Sequence, residues 1–149
     1  MRDARTTWLD IRQRHLKLGW LSLFAFASFG VALEMMHAFK VGAYLDVGND
    51  VRRLMWTLAH AHGSLLGLIH LAFAVTQRHV HVRVATVSSR SLSAATVMLP
   101  GGFFLGGIGI RGGDPGVGVL LVPFGALFLL IALASMTIGT LRGGSDRTD

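Results

Sequence analysis

Four long apolar segments alternate with short polar stretches along the chain. They cover about residues 18–38, 54–76, 92–110 and 117–141. Each is close to the roughly 20 apolar residues that an α-helix needs to cross a bilayer. None alternates with a period of two, and backbone polar groups find no water in lipid, so such segments form helices there. We therefore predict an all-α fold, an integral membrane four-helix antiparallel bundle that occupies residues 1–149 as one domain.

The stretch before the first apolar segment is basic and carries Trp8, so we expect residues 1–17 to form an interfacial N-terminal extension. Ala25-Phe26-Ala27 imitates a signal-peptide cleavage site. The apolar run nevertheless continues to about Ala38, and we expect a retained span rather than a cleaved signal.

The distribution of Lys and Arg predicts the orientation, because cytoplasmic loops are enriched in both. With the N-terminus inside, ten basic residues lie on the inner side: Arg2, Arg5, Arg12, Arg14, Lys17, Arg78, Arg83, Arg90, Arg142 and Arg147. Four lie outside: Lys40, Arg52, Arg53 and Arg111. We expect both termini to be cytoplasmic and the protein to be multi-pass in a bacterial-type inner (plasma) membrane. The polar stretch around residues 77–84 alternates with apolar residues, which fits a short strand or a segment lying on the surface.

Composition supports this class of protein. Hydrophobic residues make up 52% of the chain and charged residues only 15%, which is unlike a soluble domain. The net charge of +6 comes from residues beside apolar spans, so the expected partner is the lipid bilayer with its anionic surface, not nucleic acid. The absence of cysteine excludes disulfides, thiolate metal sites and covalently attached haem.

The third and fourth segments are rich in glycine. Gly102 and Gly106 have the four-residue spacing that lets membrane helices approach closely. Pro100 and Pro123 are expected to kink or break their helices. Tight packing within the bundle or between protomers is one interpretation, and a thin wall that admits a lipid-like ligand is the other. Such a packing face favours a homo-oligomer or a subunit of a larger membrane complex.

Ionisable residues in the first two segments are the candidates for chemistry, because such groups are costly in lipid. With a rise of about 1.5 Å per residue, Glu34, His37, His60 and His62 fall in one layer near the outer ends of two adjacent helices. His70 falls about 24 Å below the start of the second segment at the same rise, in a different layer.

Angular positions limit what these residues can bind. Glu34 and His37 are three apart on one face, a spacing used in di-metal carboxylate bundles, although Glu34 is the only glutamate of the chain. His60 and His62 are about 200° apart around a helix, so one is expected to face Glu34 and the other a different helix or subunit. The predicted metal ligands are Glu34, His37, His60 and His62, and the candidate cofactor-binding residues are His60, His62 and His70.

Residues 52–74, RRLMWTLAHAHGSLLGLIHLAFA, resemble the haem-ligating second helix of haem–copper oxidase catalytic subunits. The resemblance rests on an interfacial arginine, an embedded histidine and small residues after it, and it implies b-type haem ligation by His60 or His62. Those subunits have about a dozen spans, and the helix with their copper-ligand histidines has no counterpart here. The remainder of the chain resembles small four-span membrane proteins of bacteria, which implies no activity.

Three hypotheses follow for the function. The first is a small redox or electron-transfer protein that binds haem b or a transition metal ion (copper, zinc or iron) at the His/Glu site. The second is a proton-relay or transport protein in which these groups titrate in a polar cavity. The third is a structural subunit of a membrane complex. No complete catalytic motif is present, so the pattern leaves open whether the protein is an enzyme.

Overall fold

A computed structural model of the chain describes residues 4–45, 50–110 and 112–143. Its regular elements are all helical, which confirms the predicted all-α class. They are α1 (Ala4–Ala38), α2 (Gly42–Leu45), α3 (Asp50–Thr76), α4 (Val82–Gly106) and α5 (Leu121–Gly143), with 3-10 turns at Gln77–His79 and Val117–Leu120. Of the basic residues that predicted the orientation, Arg2, Arg111 and Arg147 lie outside the described residues.

Three helical stretches of the described chain are long and apolar enough to cross a membrane: Thr6–Ala38, Asp50–His79 and Val117–Arg142. Large apolar side chains on α1 and α5 are exposed, among them Phe24 and Leu130. An exposed apolar surface of this extent suits lipid rather than water. The chain is therefore a membrane protein by the length and composition of its helices.

The helix α4 differs most from the prediction. It begins at Val82, ten residues before the expected apolar segment, and continues through Pro100 to Gly106. The preceding residues form a 3-10 turn and not a strand. The first half of α4 is rich in Ser and Thr, and the hydroxyls of Thr86 and Ser93 donate to the carbonyls four residues earlier. These local bonds satisfy the hydroxyls inside a helix that hydropathy alone does not reveal.

The helices pack mainly as consecutive pairs, with α1 against α3, α3 against α4 and α4 against α5, while α1 also contacts α4. Glycines bring the paired backbones together. A Cβ atom built on Gly67 of α3 would lie 3.0 Å from the backbone nitrogen of Leu23 and 3.1 Å from the carbonyl of Gly19. Between α4 and α5, a Cβ atom built on Gly102 would lie 3.1 Å from the backbone nitrogen of Val122. Gly102 of the hairpin thus serves tight packing, the first of the two interpretations.

Aromatic side chains and Arg52 connect α2, the first turns of α3 and the end of α4. Trp56 of α3 stacks between Tyr44 and Phe104, with ring centroids 6.4 and 6.0 Å away. Arg52 donates to the carbonyl of Gly107 just after α4 and to that of Ala43 in α2. A cation at a helix C-terminus stabilises the exposed carbonyls. These contacts hold the short α2 and the end of α4 on α3.

Candidate functional site

His15 and His70 meet in the core where α1, α3 and α4 pack together. Both side chains are fully buried, and their Nδ1 atoms are 2.5 Å apart. The two ring centroids are 4.7 Å apart, and the ring of His15 also packs against Phe73. This is a direct imidazole–imidazole hydrogen bond between residues 55 positions apart in the chain.

Polar groups of two helices extend this pair on both sides. The Nε2 of His15 lies 2.7 Å from the hydroxyl of Ser89, which also accepts a hydrogen bond from Arg14. The Nε2 of His70 lies 2.8 Å from the hydroxyl of Thr96. We call Arg14, His15, His70, Ser89 and Thr96 the histidine-pair cluster.

The positions of the hydrogen atoms in this cluster follow from which partner of each group can only accept a hydrogen bond. The hydroxyl of Thr96 donates its only proton to the carbonyl of Leu92, 2.9 Å away, so it accepts from the Nε2–H of His70. A neutral His70 then has a bare Nδ1, which must accept from the Nδ1–H of His15. The bare Nε2 of His15 in turn accepts the hydroxyl proton of Ser89.

The hydrogen bonds of the histidine-pair cluster therefore all run in the same direction, from Arg14 to the carbonyl of Leu92. Each neutral imidazole is a donor on one ring nitrogen and an acceptor on the other. The part of this chain from Ser89 to Thr96 can carry a proton by shifting each hydrogen one place along. It also leaves every polar atom of the two buried rings with a partner, which a buried site requires.

Glu34, His37 and His60, three of the predicted metal ligands, line one cleft at the other end of α1 and α3. This Glu34 cleft has a volume of 260 Å³ and is lined by Gly30, Leu33, Glu34, His37, Tyr44, Thr57 and His60. Glu34 and His37 are exposed, and His60 is half-buried. The Nδ1 of His60 donates to the carbonyl of Phe26 at 2.6 Å, and its ring fills the space that a Cβ at Gly30 would need.

His62 faces away from this cleft, in agreement with its angular separation from His60. Its ring packs on Phe103 of α4 with centroids 4.8 Å apart, and its Nδ1 bonds to the carbonyl of Leu58. Within the described ranges, no three His, Asp or Glu side chains are grouped so that the protein alone would supply three ligands to a metal ion. Arg53, near the start of α3, pairs with Asp50 at 2.9 Å.

His15 is the functional candidate that sequence reasoning missed, because it precedes the first apolar segment. The spacing of the buried residues along α1 would have indicated it. The buried residues Ile11, His15, Ser22 and Leu33 recur at intervals that keep them on one helix face. Extending that face backwards from the apolar run would have included His15.

Comparison of the chain with models of known protein families, with curated proteins and with solved structures finds no match. The resemblance of residues 52–74 to haem–copper oxidase subunits stays a prediction. The function is therefore inferred from the side chains and their geometry.

Proposed function

We propose that this protein is a small multi-pass membrane protein that relays protons through the histidine-pair cluster. The observation that carries the proposal is the buried His15–His70 hydrogen bond, extended by Ser89 on one side and Thr96 on the other. A neutral imidazole can accept a proton on one ring nitrogen while it gives up the proton of the other. Ionisable groups held inside membrane helices are typical of proton pathways.

The transfer step conserves atoms and charge. A proton that arrives through the hydroxyl of Ser89 binds the Nε2 of His15. His15 then passes its Nδ1 proton to the Nδ1 of His70, and His70 passes its Nε2 proton to the hydroxyl oxygen of Thr96. Thr96 at the same time releases its own hydroxyl proton, which was bonded to the carbonyl of Leu92, to a water molecule. One proton has entered and one has left, and both rings now hold the opposite tautomer. Return of the rings and hydroxyls to their first orientation resets the chain.

Access to one end of the cluster supports this role. Ser89 and Arg14 also line a 290 Å³ cleft between α1 and α4, whose other lining residues are Thr7, Asp10, Ile11, Thr86 and Arg90. Water in this Ser89 cleft can deliver protons to the first hydroxyl of the chain. The Glu34 cleft lies toward the opposite end, and His60 and His70 are about 15 Å apart along α3 by the helical rise. Between His70 and His60, Ser22 donates to the carbonyl of Gly63. Proton transfer across this part of the bundle requires added water or a change in helix packing.

The membrane arrangement is part of the proposal. We infer four spans, formed by α1, α3, α4 and α5 in an antiparallel bundle, with both termini on the cytoplasmic side of a bacterial-type plasma membrane. The bias of Lys and Arg supports this orientation. For α4, the support is its position between α3 and α5, with its polar residues Ser88 and Ser89 buried. The Ser89 cleft then opens to the cytoplasm.

A transition-metal ion in the Glu34 cleft is the second candidate. The bond from the Nδ1 of His60 to the carbonyl of Phe26 favours it, because metal-binding histidines are commonly oriented in this way with Nε2 left for the metal. A haem does not fit these residues. His62 faces a different helix, and the 260 Å³ cleft is smaller than the roughly 300–1,000 Å³ of small-molecule pockets.

Proton flux into liposomes tests the relay. The purified protein is reconstituted with an internal pH-sensitive dye, and a potassium gradient with valinomycin drives the protons. We expect flux above that of empty liposomes, and a loss of about tenfold or more in His15→Gln and His70→Gln, because an amide keeps hydrogen bonds but cannot exchange protons between two nitrogens. His79→Gln, at an exposed histidine of the turn after α3, is the matched control.

Three outcomes would contradict the relay. One is wild-type flux no greater than that of empty liposomes, and another is unchanged flux in a correctly folded His70→Gln variant. The third is stoichiometric metal in the purified protein that is lost in His60→Ala while flux is absent, which would favour the second candidate. Circular dichroism and thermal melting identify variants that fail to fold.

A further inference from the structure

A third cleft, separate from the histidine-pair cluster, lies between the first turns of α1 and the end of α3. This Gln77 cleft has a volume of 320 Å³ and is lined by Trp8, Leu9, Arg12, Ala74, Val75, Gln77 and Arg78. Its two charged lining residues are both arginines. The Ser89 cleft on the neighbouring side of α1, by contrast, includes the carboxylate of Asp10 among its lining residues.

The amide of Gln77 is an unusual feature of this cleft. The side chain is 2% exposed, and its Nε2 donates to the carbonyl of Trp8 at 3.4 Å. Its Oε1 is buried and has no hydrogen-bond partner in the described part of the chain. A buried acceptor without a donor costs free energy, and such an atom in a native protein calls for a partner. The cleft therefore combines two cations with an acceptor that needs a donor.

We propose that the Gln77 cleft binds the headgroup of an anionic phospholipid that carries a hydroxyl, of the phosphatidylglycerol type. The phosphate diester would lie between Arg12 and Arg78, since guanidinium groups bind phosphate through paired hydrogen bonds. Gln77 lines the cleft, so a rotation of its amide would let a hydroxyl of the headgroup donate to Oε1. A choline headgroup offers no hydroxyl donor and brings a positive charge toward the two arginines.

A lipid suits this cleft better than free phosphate because apolar residues adjoin the arginines. Leu9 and Val75 line the cleft and are 51% and 59% exposed. Trp8 is partly buried against the core, and tryptophan is enriched at membrane interfaces. Such a surface offers acyl chains a place beside the headgroup. This inference requires only that the protein lies in a membrane, so it is independent of the proton relay.

Native mass spectrometry of the delipidated full-length protein in detergent tests the site. Phosphatidylglycerol, phosphatidylcholine and phosphatidic acid are added at equal concentrations. We expect phosphatidylglycerol to bind more tightly than phosphatidylcholine, and Arg12→Gln or Arg78→Gln to weaken its binding about fivefold each, the usual contribution of one basic residue near a membrane. Arg83→Gln removes the same charge from an exposed residue outside the cleft and should leave binding unchanged.

The Gln77→Met variant examines the hydroxyl contact. It should weaken binding of phosphatidylglycerol and leave that of phosphatidic acid, which has no glycerol headgroup, unchanged. Equal binding of phosphatidylglycerol and phosphatidylcholine by the wild type would overturn the proposal. An equal effect of Arg83→Gln and Arg78→Gln would also overturn it, as would displacement of the lipid by millimolar inorganic phosphate, which would identify a soluble anion as the ligand.

Discussion

The histidine-pair cluster and the Glu34 cleft use similar residues on the same two helices, yet they differ in chemistry. In the cluster, His70 of α3 meets His15 of α1 with both rings fully buried. In the cleft, His60 of α3 faces α1 beside Glu34, and the site remains open. The helix α4 supplies the difference, because its residues Ser89 and Thr96 bond the outer nitrogens of the pair.

The number of helices packed around a histidine therefore decides its environment in this protein. Where three helices meet, the ring loses all contact with solvent, and each nitrogen must find a protein partner. Where two helices meet, exposed groups can be satisfied by water or headgroups. His60 and His70 have similar hydrophobic surroundings in the sequence, so the third helix is what separates a buried, hydrogen-bonded pair from an open cleft.

The largest effect is expected from separating α1 and α3 in the region between the two sites. In Gly67→Ala, the new Cβ would press on the backbone nitrogen of Leu23 and the carbonyl of Gly19, neither of which can rotate away. We expect a loss of about 1–3 kcal/mol in the free energy of unfolding, the usual cost of overpacking. An SDS titration of the detergent-solubilised protein measures it.

Gly101→Ala is the matched control for Gly67→Ala, since a Cβ at Gly101 of α4 meets nothing within 4 Å. It should be neutral or stabilise the protein by up to about 1 kcal/mol, because alanine favours the helix. Equal losses in the two variants would show that α1 and α3 are not held by close backbone contact at Gly67.

The next effect concerns the imidazole pair itself. His70→Leu leaves the Nδ1–H of His15 buried without an acceptor, and we expect a cost of about 1–3 kcal/mol. A double-mutant cycle with His15→Leu should give a coupling of roughly 1 kcal/mol, in the range of hydrogen bonds within membrane proteins. The same SDS titration gives all three values, and additive losses would mean that the two rings do not interact.

A smaller effect is expected at the end of the molecule beyond the Glu34 cleft. Arg52→Gln removes the bonds to the carbonyls of Gly107 and Ala43, so α2 and the end of α4 should loosen. The expected loss is about 1 kcal/mol, with faster amide hydrogen exchange at residues 104–108 and no change around His70. Exchange that also accelerates around His70 would mean that the two ends of the bundle open together.

The smallest perturbation is chemical and leaves the sequence unchanged. Diethyl pyrocarbonate should modify His37 and His60 in the folded protein, because both line an open cleft. His15 and His70 should react more slowly by on the order of tenfold or more, because their modification requires local opening. Peptide mapping by mass spectrometry measures the four rates. Fast reaction at His70 would place solvent in the cluster and remove the contrast between the two sites.

Much of the helical arrangement could be predicted from the chain. The helices α1 and α3 cover the first and second apolar segments, and α5 with the 3-10 turn before it covers the fourth, because length and hydropathy carry that information directly. The start of α4 at Val82 could not be predicted in this way. Its serines and threonines are polar by composition, and bonds such as those of Thr86 and Ser93 inside the helix and of Ser89 to His15 are seen only in the structure.

Part of the candidate site could also be predicted. The positions of Glu34, His37 and His60 along their helices predicted that they lie in one layer, and all three line one cleft in the structure. The angular separation of His60 and His62 predicted different neighbours for them, and His60 bonds to α1 while His62 packs on α4. The partner of His70 could not be predicted from depth within the apolar segments, because His15 lies before the first of them.

The sequence by itself determined that the chain forms long apolar helices and that ionisable groups are concentrated on α1 and α3. Both follow from local properties, namely the length of each apolar run and the helical rise. Only the tertiary structure decided that His15 bonds to His70 and that Ser89 and Thr96 complete the chain. Such pairings join residues far apart in sequence, and they depend on the rotation and distance of helices whose glycines, such as Gly67, let the backbones touch.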